Sequence, residues 1–173
     1  MTIQTERLTL RPVLTTDWQA IQSIWEDQKH SPYARYDRPN DTSDEAVRLR
    51  IAKWEERGKG KEHLFFAVCI SERVIGYVAL NAREDGYEIG YCFHSAYHGK
   101  GYARESISRL IAHVQTLGAP LIVARTAMNN LPSVRLLTSL GFRLAGTEQV
   151  SFYKDEAGRD IFFEGGIFEL SLS

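Results

Sequence analysis

Residues 87–105 read YEIGYCFHSAYHGKGYARE. An apolar strand-like run, Tyr87–Phe93, gives way to a glycine-flanked turn, His98-Gly99-Lys100-Gly101. A helical pattern follows, with Ala103, Ile107, Leu110, Ile111 and Val114 at the 3.6-residue period and Gly118 as its stop. Glycines at 99 and 101 allow positive φ and close approach of the backbone to a ligand. The helix start directs unsatisfied N–H groups and a partial positive charge into the turn, which makes it a site for an anion such as phosphate. Two phosphate motifs are absent. Gly101 is followed by Tyr102 and Ala103 rather than Lys and Ser/Thr, and Arg104 stands where a dinucleotide fingerprint needs its third glycine.

Outward from this unit, the order of elements is strand, two helices, three strands, helix, strand, helix, two strands. Arg7–Val13 alternates as a strand. Thr16 with Gln19, and Thr42 with Glu45, read as capping boxes that open two helices. The first carries Trp18, Ile21, Ile24 and Trp25 on its apolar stripe. The second carries Val47, Ile51 and Trp54 and ends near Gly58 and Gly60. Between them, His30–Asn40 is a proline- and tyrosine-bearing loop. His63–Ile70, Val74–Leu80 and Tyr87–Phe93 are separated by short turns and should pair antiparallel. Leu121–Thr126 reads as a buried strand, reached from Tyr87–Phe93 by a right-handed parallel crossover. Asn130–Leu140 is a helix closed by Gly141, and Phe142–Tyr153 and Asp160–Leu170 are strands around the turn Asp155–Gly158. The expected architecture is a mixed α/β (α+β), mostly antiparallel, twisted sheet of about seven strands with about four helices. No linker or repeat divides it, so residues 1–173 form a single domain.

The 173 residues carry a formal charge of −1. That argues against a protein built to coat nucleic acid. Two cysteines, Cys69 and Cys92, cannot make a disulfide scaffold, which suits a reducing, cytoplasmic compartment. No run approaches the ~18–20 apolar residues of a membrane span, and Met1–Pro12 lacks the apolar core of a signal peptide. Of the five histidines, no pair has helical metal-ligand spacing with a third ligand, so no metal is expected.

The stretch Tyr97–Glu105 resembles the pyrophosphate loop of GNAT-type N-acetyltransferases, written Q/R-x-x-G-x-G/A. His98 stands at the Q/R position, a departure, with Gly101 at the central glycine and Ala103 at the last position. Asn130-x-x-Ser133 followed by Leu140-Gly141-Phe142 resembles the N-x-x-S…L-G-F block of the same superfamily. Thr5-Glu6-Arg7-Leu8-x-Leu10-Arg11 is similar to the opening of its ribosomal-protein N-terminal acetyltransferase branch.

The resemblance implies acetyl-CoA as donor. Its pyrophosphate would be cradled by the backbone of His98, Gly99, Lys100, Gly101, Tyr102, Ala103 and Arg104, with Lys100 and Arg104 adding charge. It also implies that the strand before the loop splays from its neighbour, which brings Tyr91, Cys92 and Phe93 beside the pantetheine arm. The amine then attacks the thioester directly, and Cys92 is not a nucleophile. A lysine amine costs about 4–5 kcal/mol to deprotonate at pH 7, an α-amine only about 1. A modest base therefore suffices for an N-terminal substrate.

Glu88 is the candidate base and an acceptor contact, because a carboxylate in an apolar strand needs a task or a partner. The alternative is an ion pair with an arginine such as Arg125. Many superfamily members use a tyrosine seven residues after the helix asparagine as acid, and here that position is Leu137. The resemblance gives the role to Ser133 instead, with Asn130 as helix cap and cofactor contact. Tyr33 and Tyr36 are the candidate acceptor contacts. Asp37, Asp41, Asp44 and Glu45 would favour a cationic amine. The expected acceptor is a protein N-terminus or a small amine, and a homodimer is possible. A non-catalytic acyl-CoA sensor on the same fold is the competing reading.

Overall fold

In the computed structural model, which describes residues 1–173, β5 (Gly86–Phe93) runs beside two very different neighbours. Along β4 (Arg73–Arg83) it pairs antiparallel over its whole length, from Arg83↔Gly86 to Gly76↔Phe93. Along β6 (Leu121–Ala127) it pairs in parallel for only three positions, Tyr87↔Ile122, Glu88↔Val123 and Ile89↔Ala124. Beyond Ile89 the two strands part, and main-chain groups of Gly90–Phe93 on that side have no strand partner. The sheet is split at this point.

The full sheet has eight strands in the order β1-β2-β3-β4-β5-β6-β8-β7. The remaining strands are β1 (Ile3–Gln4), β2 (Thr9–Pro12), β3 (His63–Ile70), β7 (Arg143–Lys154) and β8 (Asp160–Ser171). Every pairing except β5·β6 is antiparallel. The expected count of about seven strands misses β1. Two residues are too few to show an alternation, and only pairing with Leu10 and Thr9 makes them a strand.

Four α-helices cover the two faces: α1 (Trp18–Gln28), α2 (Asp44–Arg57), α3 (Tyr102–Thr116) and α4 (Leu131–Ser139). On the α3/α4 face the core is mainly aliphatic. Leu10, Val78, Leu80, Ile107, Leu110 and Ile122 are fully buried there, each contributing roughly 1.5–3 kcal/mol of transfer free energy. On the α1/α2 face the core is aromatic. Trp54 stacks on Phe65 with centroids 4.9 Å apart, Trp25 meets Trp54 edge-on at 5.9 Å, and the Trp25 indole donates to the Tyr77 hydroxyl at 2.8 Å.

Neither expected capping box forms, and each helix takes its N-cap one residue later, at Asp17 and Ser43. Thr15–Asp17 forms a short 3-10 turn, and α1 opens at Trp18. Asp17, buried, accepts from the Leu14 N–H and holds Arg11 bidentately at 2.8 Å, so its carboxylate organises this end in place of Thr16. Ser43 caps α2 by accepting from Ala46 N–H at 3.3 Å. Thr42 instead bonds Glu26 and Lys29 and ties α2 to α1.

Candidate active site

The turn between β5 and α3 is an array of unused donors. Gly101 caps α3 at φ +80° with no side-chain cap, and Gly99 has φ +73°. Both values lie where residues with a Cβ are strained, which explains the glycines. The first helical bond here runs from Glu105 N–H to Gly101 C=O, and the N–H groups from Gly99 to Arg104 find no acceptor in the protein. A Cβ built on Gly99 meets nothing within 4 Å. The turn is therefore open to an incoming anion and carries the helix's partial positive charge. Lys100 and Arg104 are exposed at its rim.

The turn is clamped from behind. The Arg7 guanidinium donates to the Lys100 carbonyl at 2.9 Å and to Glu105 at 2.7 Å, and it lies 4.5 Å over the Tyr102 ring. Glu105 also accepts from the Arg7 N–H at 2.8 Å and the Thr5 hydroxyl at 2.6 Å. Burial opposes ionisation of Glu105, but these donors outweigh it and hold the carboxyl below its ordinary range. The opening Thr5-Glu6-Arg7 block thus acts as a structural brace for the turn, a role not assigned from the sequence. The signal was available, since Thr5 and Arg7 belong to the block that carries the resemblance.

His98 does not offer its ring to the turn, because Nε2 is 2.7 Å from the Phe93 carbonyl. It ties the loop to the end of β5. On the other flank Asp27 of α1 accepts from the Ser95 N–H and hydroxyl, at 2.8 and 2.6 Å.

A cleft of about 660 Å³ lies over the split between β5 and β6, bordered by Glu88–Cys92 on one strand and Arg125–Ala127 on the other, and no residue of the turn lines it. Glu88, Gly90 and Cys92, which period two puts on one face of β5, line it together with Ile89 and Tyr91. A Cβ on Gly90 would meet nothing within 4 Å, so this residue leaves the floor low. Burial pushes the Cys92 thiol up to about 12, so it stays protonated and is no thiolate nucleophile. Phe93 is buried against the aliphatic core and its carbonyl is taken by His98, so its side chain is not available to a ligand.

Tyr91 reaches toward α4, where its hydroxyl lies 2.6 Å from Ser133 Oγ. Burial pushes Tyr91 up to about 12, with the Ser133 contact acting in the opposite direction. Asn130 caps α4 and accepts from the Ser133 N–H at 3.3 Å. The Ser133 hydroxyl is thus held by Tyr91 rather than by a backbone N–H. Leu137 is fully buried on α4 and cannot approach a leaving group.

Glu88 carries the ion pair that the sequence left open. Arg125 Nη1 is 2.6 Å from Glu88 Oε1, and Arg125 Nε is 3.4 Å from Glu148. Glu88 Oε2 has no protein partner. On the far wall Tyr36 lines the cleft, packs edge-on against Phe163 at 5.3 Å and accepts from Asn129 at 3.4 Å. Tyr33 is not among the lining residues; it precedes the 3-10 turn Ala34–Tyr36.

The expected negative charge of this wall is also corrected. Asp41 accepts from the Ser43 N–H, and Asp44 from Gln22, both away from the cleft. Asp37 does line it, with burial raising its carboxyl above the usual range. The other charges on that wall are basic: Arg38, Arg50, Lys53 and Arg57. The last three share one face of α2 with Trp54, at spacing i, i+3, i+4, i+7. That spacing was the overlooked signal.

No group of three His, Cys, Asp or Glu side chains is placed to hold a metal ion. No helix is long and apolar enough to cross a membrane.

A split sheet with a donor-lined turn at the head of the following helix offers a place for an extended ligand with an anionic end, and sequence comparison gives the class of protein. The acetyltransferase (GNAT) domain family matches residues 7–143, and the chain belongs to that family. The uncharacterized N-acetyltransferase p20 of Bacillus licheniformis is 32% identical over 151 residues, covering 84% of each chain. Among solved structures, a putative acetyltransferase of Salmonella typhimurium with its cofactor acetyl-CoA is 26% identical. It superposes with a TM-score of 0.72 over 97% of this chain and 95% of that one. The ribosomal-protein-S5-alanine acetyltransferase of Vibrio fischeri shares the fold, with a TM-score of 0.83 at 19% identity over 100% and 97% of the two chains.

Proposed function

We propose that the protein transfers the acetyl group of acetyl-CoA to a primary amine, a protein N-terminus or a small amine, by direct attack while both substrates are bound. The observation that carries this reading is the parting of β5 from β6 after Ile89, with six unpartnered N–H groups at its donor end. A diphosphate fits the turn, and the pantetheine amides fit the free main-chain groups of Gly90–Cys92 in the manner of an added strand. The solved acetyl-CoA complex of the Salmonella relative supports the choice of donor.

In this reading Glu88 Oε2 takes the proton of the incoming amine, directly or through one water, while Arg125 fixes Oε1. The amine nitrogen bonds to the thioester carbonyl carbon and the C–S bond breaks. The departing sulfur takes a proton or a hydrogen bond from Ser133 Oγ, which Tyr91 can resupply across 2.6 Å. With Leu137 buried, no side chain of α4 other than Ser133 is assigned this task.

Thiol release across a panel of amines and N-terminal peptides tests the reading. With the best acceptor, Glu88→Gln should lower kcat/KM by roughly 100-fold at pH 7, the lower end expected for a general base, and Ser133→Ala should lower kcat by about 10-fold. Full activity in both variants would overturn these roles. Acetyl-CoA binding with no acceptor turned over would favour the sensor reading.

A further inference from the structure

The acceptor half of the cleft holds positive charge that nothing in the protein neutralises. Arg125 is engaged by Glu88 and Glu148. Arg38, Arg50, Lys53 and Arg57 all line the cleft, and none makes an ion pair. The remaining acid there is Asp37, which makes no ion pair with any of them and accepts from Gln28 at 3.0 Å.

Two of these cations are held in place by means that leave their charge unspent. The Arg50 guanidinium stacks 4.5 Å from the Trp25 ring centroid and 5.5 Å from that of Trp54, and donates to the neutral Asn40 oxygen at 2.6 Å. Arg38, two residues before Asn40, lies 5.2 Å over Phe152 of β7. Stacking orients a guanidinium with its N–H edge free, and a fork so oriented matches an oxyanion. Arg50 is on α2, and Arg38 is on the loop that reaches across to β7. Both line the same cleft as Glu88.

We propose that the acceptor carries an anionic oxygen group, a carboxylate or a phosphate, alongside its amine, and that Arg50 and Arg38 bind that group. This deepens the acetyl-transfer reading and rests on it. The amine end lies toward Glu88 and the thioester, and the anionic end toward α2. An amine without an anionic group would leave the two guanidiniums unpaired and forgo their charge-assisted bonds.

Matched acceptor pairs test it: amino acids against their amides and decarboxylated amines, ethanolamine phosphate against ethanolamine, and peptides with an acidic second residue against neutral ones. In at least one pair the anionic member should be favoured 10-fold or more in kcat/KM, and the pair that responds identifies the source of the group. Arg50→Gln should remove that preference, Arg50→Lys should restore part of it, and acetyl-CoA affinity should stay within two-fold. Arg38→Gln, which leaves the tryptophans untouched, is the second variant should Arg50→Gln melt early. Neutral members equal or better throughout, or a preference that survives both substitutions, would overturn the proposal.

A readout independent of turnover separates this proposal from the transfer reading. Trp25 and Trp54 lie under Arg50, so the same amino acids and ethanolamine phosphate should change tryptophan fluorescence saturably in the wild type and not in Arg50→Gln. That result without any acetylation would sustain the anion site while refuting transfer. No saturable change with any anion would refute the anion site.

Discussion

The two faces of the sheet solve different problems with different materials. On the α3/α4 face an aliphatic core supports a turn whose working groups are main-chain N–H donors, fixed by the brace of Thr5, Arg7 and Glu105. On the α1/α2 face an aromatic core of Trp25, Trp54, Phe65 and Tyr77 supports a cleft wall whose proposed working groups are side chains, Arg50 above all. A backbone site suits a donor common to a whole family, because its geometry survives almost any change in neighbouring side chains. A side-chain site can be rewritten residue by residue, which is what a change of acceptor requires.

Removing the centre of the aromatic face should have the largest effect. Trp25 is 1% exposed and both meets Trp54 edge-on and bonds Tyr77. Trp25→Ala should cost about 4 kcal/mol of unfolding free energy in a denaturant titration. Acetyl-CoA affinity per folded molecule should change far less, because the donor turn sits on the opposite face. Equal losses in both would erase the division between the faces.

Placing a carboxylate in the donor turn is the converse experiment. Gly99 has open space and a φ that aspartate tolerates better than most residues. A unit charge about 4 Å from the bound anion is worth up to about 4 kcal/mol near a protein surface. Gly99→Asp should therefore weaken acetyl-CoA at least about 100-fold by calorimetry while leaving the melting temperature almost unchanged.

The brace gives a smaller effect with a pH signature. Glu105→Gln should cost about 2 kcal/mol at pH 7, the range for hydrogen bonds to a charged group. Glu105 titrates below its unfolded value of ~4.3. Its contribution is therefore complete above that pH and is lost as pH falls through the lowered folded value. Wild type and variant should converge in denaturant midpoint below about pH 4. A gap that stays constant down to pH 3 would assign the loss to packing instead.

The same contrast explains what could be read from the sequence. The donor turn is contiguous, His98 to Arg104, and glycine at positive φ is a local requirement, so the pattern was visible without the fold. Ser133 and Asn130 were visible for the same reason. The acceptor wall is assembled from residues 36–57, Arg125, Glu148 and the β7–β8 strands, and only tertiary pairing brings them together. Counting acids in residues 37–45 gave the wrong sign, because Asp41 and Asp44 turn to caps and to α1 while the next turns of α2 present arginines. Phe93 entered through the resemblance, and its burial removes the side chain from reach of a ligand; Tyr33 entered as an aromatic of the same loop, and it precedes the short turn at Ala34–Tyr36 without lining the cleft. The Arg125–Glu88 pair could be named but not chosen, because the choice depended on the parallel register Glu88↔Val123.

The most direct test is calorimetric: CoA against pantetheine, which lacks the diphosphate, on the wild type and on a Lys100→Ala, Arg104→Ala double variant. If main-chain donors hold the diphosphate, pantetheine should bind at least about 100-fold more weakly than CoA, and the double variant should lose less than about 10-fold of its CoA affinity. Pantetheine binding as tightly as CoA, or a double variant that no longer binds CoA at all, would contradict it.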